Sequence, residues 1–182
     1  MNKKTKGGAA ANIIGNRLRN AGCLKDTECH IAMGNLRHTI TEDLGYTLAP
    51  LAENMSSIEG IIGLLKTALS IYPDRVLHRI FFFTSFGHYW ALETKGGQYR
   101  ILSNWQGSHS FNQFLDTTYG AFRPADDDFY NILRQLSSDD YDKIEDANQK
   151  LFGTMSGLSR YYAFPLTLLN GYSIRTQTAP SY

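Results

Sequence analysis

The sequence predicts an α+β domain, and three observations predict it. Apolar residues recur at helical spacing over the first 70 positions, short β-branched and aromatic runs follow between 78 and 103, and acid-led helical segments resume after Pro124. With 182 residues, 42% hydrophobic and 19% charged, the chain is long and apolar enough to bury one core. The expected architecture is N-terminal helices packed on a central antiparallel sheet, with C-terminal helices and an edge strand.

Residues 1 to 10 are rich in Lys, Gly and Ala and read as a flexible linker, leaving 11 to 182 as a single domain. A short helix fits Asn12 to Asn20, with Ile13, Ile14 and Leu18 on one side and Gly22 as its stop. The next begins near Asp26 or Thr27. Its stripe runs through Cys29, Met33, Leu36, Ile40 and Leu44, and Gly45 ends it. A third spans about Ser57 to Ile71, where Ser56 and Glu59 form a Ser-x-x-Glu capping box ahead of Ile58, Ile61, Ile62, Leu65 and Leu69. Pro73 closes it.

The period then changes. His78 to Thr84 is too aromatic and too short for a helix, and its Phe81-Phe82-Phe83 run reads as a buried strand. Gly87 to Glu93 and Gln98 to Ser103 flank Lys95-Gly96-Gly97 as a hairpin. Two helices follow at about Asp127 to Leu136 and Ser138 to Phe152, the acids at Asp126 to Asp128 supplying N-terminal charge. Tyr172 to Gln177 reads as an edge strand.

Eighteen basic and seventeen acidic residues give a formal charge of +1, a poor footprint for nucleic acid or anionic lipid. No apolar run reaches the roughly 18 residues of a membrane span, and Met1 to Lys6 lead into Gly and Ala rather than a hydrophobic signal core. Two cysteines, Cys23 and Cys29, are too few for a disulfide framework or a four-thiolate metal site, so neither metal nor cofactor is expected. One short-loop disulfide stays open.

Three residues form a chemical constellation: Cys29, His88 and Asn104. In the first turn of its helix, Cys29 meets unpaired N–H groups and a dipole that favour the thiolate. A three-residue loop at Lys95 to Gly97 pairs Thr94 with Gln98 and, carried inward, His88 with Asn104, which places both on one face. The Asn oxygen then orients the imidazole toward a thiol. A four-residue loop opposes His88 to Ser103 instead, and a twisted strand end brings in Gln106. Cys23 is the rival nucleophile. Each of these residues also has a plain structural role open to it: buried cysteine for Cys29, a satisfied strand histidine for His88. His30 projects away from the stripe, and His38 and His109 read as surface residues.

The order Cys, His, Asn, with Gly87-His88-Tyr89-Trp90-Ala91-Leu92-Glu93 followed by Tyr99-Arg100-Ile101-Leu102-Ser103-Asn104-Trp105-Gln106-Gly107, resembles papain-like cysteine hydrolases. With Glu28-Cys29-His30-Ile31-Ala32 and Leu44-Gly45-Tyr46, it is most similar to the papain-fold toxin and effector domains of bacteria, several of which are deamidases. The similarity covers about residues 26 to 107. It implies a thiol amidohydrolase using Cys29, His88 and Asn104, most simply a glutamine or asparagine deamidase. A protease, or a catalytically silent module that binds a partner or acts at a membrane, is the alternative. It further implies Trp90, Trp105 and Gln106 at the substrate, a protein substrate in a target cell, a cognate immunity protein or chaperone, and secretion or translocation. One departure stands out: the glutamine about six residues before the nucleophile in papain-type enzymes is Cys23 here, leaving backbone N–H groups or Asn20 to form an oxyanion hole.

Overall fold

The computed structural model describes residues 28–70, 77–85, 87–103, 122–152 and 166–176. In chain order these form α1 (Glu28–His38), a π-helical turn (Thr39–Asp43), β1 (Tyr46–Met55), α2 (Ile58–Ala68), β2 (His78–Ser85), β3 (His88–Lys95), β4 (Gln98–Leu102), β5 (Arg123–Pro124), α3 (Asp127–Gln135), α4 (Tyr141–Phe152) and β6 (Thr167–Thr176). The expected helix over Asn12 to Asn20 lies outside the described residues, as does the 1 to 10 segment. The α+β class is as expected. No described helix is long and apolar enough to cross a membrane.

The six strands make one antiparallel sheet in the order β1-β6-β2-β3-β4-β5. This topology corrects one expectation and adds one strand. β6 is an inner strand, hydrogen-bonded to β1 on one side and β2 on the other, and not an edge. The edge on that side is β1, opposite β5, and the sequence reading passed it over because Tyr46 to Met55 carries Pro50 and lacks clean alternation. Proline is tolerated there: the ladder shifts between Pro50 and Ala52, and among the described residues only one side of β1 is paired.

Helices cover both faces. Alternation along β2 and β3 sends Phe81, Phe83, Trp90 and Leu92 to one face, where α2, α3 and α4 close over them with Ile61, Leu65, Phe129, Leu133, Ala147 and Phe152. Ile80, Phe82, Tyr89 and Ala91 point to the other face, toward α1. The stripe expected on that helix is fully buried at Cys29, Met33, Leu36 and Ile40. Leu44 leaves it, 37% exposed, because the π-helical turn, closed by Leu44 N–H to the Thr39 carbonyl at 2.9 Å, advances the chain by an extra residue.

Local signals account for most boundaries. Ser57, one residue after the expected cap, accepts from the Gly60 amide, and Glu59 reaches across to Arg134 of α3 at 3.0 Å. Asp126 caps α3 by accepting from Phe129 N–H at 3.0 Å, consistent with the acid-led reading. Gly171 in β6 faces Phe81, and a Cβ there would stand 2.8 Å from the ring. The strand needs glycine at that point so that the ring can lie across its backbone.

Candidate functional site

The β3–β4 turn decides how the histidine strand meets its neighbour. Gly96 and Gly97 both take positive φ, +58° and +79°, so the turn is a tight two-residue one and Lys95 pairs with Gln98. Thr94 therefore faces Tyr99, not Gln98, and the expected three-residue register is corrected by one position. Two consecutive glycines remove the steric bar to the tighter turn, whose twist suits the strands. The paired ladder ends at Ala91 with Leu102. One step further, Ser103 falls on the face that carries His88.

There the two meet: His88 Nε2 lies 2.7 Å from Ser103 Oγ, both side chains buried. Phe152 of α4 sets its ring edge-on to the imidazole at 5.2 Å. Burial pushes the His88 pKa well below its ordinary value, so the ring is neutral at pH 7. Asn104, Trp105 and Gln106, the other residues expected around this histidine, lie outside the described residues. Trp90 is fully buried, stacked on Phe83 at 4.8 Å and edge-on to Phe152, with its indole N–H donated to Ser85 Oγ at 2.9 Å. Its ring is part of the core on that face.

Cys29 sits where the helix reading puts it, in the first turn of α1, with 0% exposure. Its side chain belongs to the core on the α1 face, with Met33, Phe82 and Tyr89, whereas His88 packs against the α4 face. The sheet stands between the two groups. Cys29 is also disulfide-bonded, and no free thiol occurs among the described residues. A sulfur in that state is no nucleophile. Cys23 lies outside the described residues.

The α1 face carries polar chemistry that sequence reasoning missed. Glu93, 1% exposed, receives Arg100 Nε at 2.5 Å and meets His78 Nε2 at 2.6 Å, so three strands are joined through one buried carboxylate. Phe122 lies against the Arg100 guanidinium at 4.7 Å. With the two-residue turn, Glu93 and Arg100 are directly opposed; the three-residue register separates them. The sequence signal was present but hidden by the turn. Among the described residues no group of three His, Cys, Asp or Glu side chains converges as a metal site.

No known protein family, curated protein or solved structure matches this chain.

Proposed function

We propose that this chain is a toxin or effector module that binds a protein partner and performs no thiol chemistry in its oxidised form. One observation carries the reading: the Cys29 sulfur is sealed in a disulfide beneath α1, while His88 is buried on the opposite face of the sheet. General-base activation needs the nucleophile and the base within hydrogen-bonding reach or a short rotamer change of it.

A second reading is favoured by a specific pair of observations. Cys29 occupies a helix N-terminus, and burial keeps His88 neutral beside the Ser103 hydroxyl, the protonation state a base requires. In that reading thiol–disulfide exchange with a low-molecular-weight thiol of the target cell frees Cys29, two molecules of that thiol being oxidised to their own disulfide, and the α1 segment moves. His88 then takes the Cys29 proton, the thiolate attacks a carboxamide carbonyl, ammonia leaves with a proton from His88, and water hydrolyses the thioester. Deamidation suits a confined site better than cleavage of an extended polypeptide.

The test is alkylation by iodoacetamide at pH 7, with and without reductant, alongside ammonia release from target-cell lysate. The partner-binding reading expects no labelling before reduction, slow and unselective labelling after it, and no ammonia. Fast selective labelling of Cys29 after reduction, with ammonia release lost in both Cys29→Ser and His88→Ala, overturns it in favour of the amidohydrolase.

A further inference from the structure

A second feature of the α1 face points to a ligand. Arg37, in the last turn of α1, is half-buried, with its guanidinium carbon 5.2 Å from the centre of the Phe82 ring and 5.0 Å from that of Tyr172. Its Nη2 donates to the Tyr172 hydroxyl. None of the ion pairs among the described residues includes Arg37, and Asp43, the carboxylate just beyond the helix, is turned to His38 Nε2 at 3.7 Å. A guanidinium lowered onto aromatic rings without a counter-charge gives up hydration that only part of the ring attraction restores.

Beside it stands an unsatisfied donor. Tyr89 is 1% exposed, and its hydroxyl has no hydrogen-bond partner among the described residues. The Arg37 guanidinium lies close enough to act on the oxygen of that hydroxyl, but a cation only donates, so the O–H proton is left without an acceptor among the described residues. Burial pushes the Tyr89 pKa above the ordinary tyrosine range, more than the neighbouring cation lowers it, so the group stays protonated and remains a donor. Phe82 lies between the two tyrosines, its ring centre 6.1 Å from each, so Tyr89, Arg37 and Tyr172 form one continuous patch.

We propose that Arg37, Tyr89 and Tyr172 form a binding site for a single carboxylate group carried by a partner. The rings take up part of the guanidinium's flat surface, and its in-plane N–H fork is the geometry that a carboxylate meets two-handed. Charge selects among oxyanions. The site supplies one guanidinium and two hydroxyls, and the adjoining helix C-terminus subtracts from the positive charge. A monoanion balances it, and a phosphate dianion exceeds it. The site stands whether or not Cys29 ever acts as a nucleophile.

The experiment uses the full chain, 15N-labelled, with the Arg37 Nε–H resonance followed at constant ionic strength. The probes are propionate, methylphosphonate, chloride, an acetylated tripeptide amide with a central Glu, and an acetylated tripeptide with a free C-terminus. The expected result is a saturable shift with propionate and at least one peptide, absent with chloride and weaker with methylphosphonate; the peptide that binds identifies a side-chain or a terminal carboxylate as the source. Tyr89→Phe keeps the fold, since it removes an unpaired buried hydroxyl, and should weaken binding about fivefold, the worth of one hydrogen bond. Linear shifts common to all anions, or unchanged carboxylate binding in Tyr89→Phe, overturn the site and leave Arg37 as a clamp between helix and sheet. Tighter binding of methylphosphonate than of propionate overturns the ligand class.

Discussion

The two faces of the sheet are built from the same strands and solve different problems. Beneath α2, α3 and α4 lie interlocked aromatic rings, Phe83 on Trp90, Trp90 on Phe152 and Tyr99 on Phe129, with two buried side-chain hydrogen bonds among them, His88 Nε2 with Ser103 and Trp90 to Ser85. Beneath α1 lie a buried carboxylate held by a guanidinium and an imidazole, a disulfide-bonded cysteine, and a guanidinium among tyrosines. One face is sealed by shape and dispersion, the other by charge.

The largest expected break in this contrast is Glu93→Ala. Taking the carboxylate from Arg100, a residue 4% exposed, should lower stability by about 3–5 kcal/mol, whereas the apolar double variant Glu93→Leu with Arg100→Met should cost far less. Urea unfolding of the three proteins checks this, and equal losses in the single and double variants would show that the pair is not an ionic unit.

A pH scan probes the other face. The folded pKa of His88 lies well below its unfolded value of about 6.5, so the unfolded chain binds the proton first. The contribution of this group is therefore present above about pH 6.5 and is lost as the pH falls, at up to about 1.4 kcal/mol per pH unit, until the folded pKa is reached. His88→Gln should flatten that slope by about one proton in denaturation measured between pH 4 and 7; an unchanged slope would mean that the ring titrates freely.

Gly171→Ala sharpens the comparison at the centre of the sheet. The new methyl meets Phe81 and drives it into the aromatic face, costing about 1–3 kcal/mol by thermal unfolding, while Phe81→Leu with Gly171→Ala should recover part of the loss. The smallest effect is at a helix end. Asp126→Ala removes the acceptor for Phe129 N–H and should cost about 1 kcal/mol, seen as a modest drop in unfolding midpoint with the α1 face undisturbed.

Much of this contrast was legible in the chain because it is local. The spacing of Cys29, Met33, Leu36 and Ile40 specifies which side of α1 is buried, since a helix repeats every 3.6 residues wherever it sits. Asp126 announces a helix start through a bond spanning three residues, and the Phe81 to Phe83 run announces a strand covered on both faces. These features depend on backbone geometry within one or two turns, and no distant partner is needed to create them.

What only the tertiary structure decided is relative placement. Whether a strand is an edge or an interior one depends on which other strands reach it, so β6 could not be placed from Thr167 to Thr176 alone, and β1 was obscured by a proline that its edge position makes harmless. The two glycines at 96 and 97 allow several turns, and a slip of one residue reassigns every cross-strand neighbour, which hid the Glu93–Arg100 pair. Cys29 and His88 each satisfied its own local rule, a cysteine on a helix stripe and a histidine opening a strand. Their side of the sheet was set by the side on which each helix packs, α1 over one face and α4 over the other, a choice made by long-range burial that one chain segment does not encode.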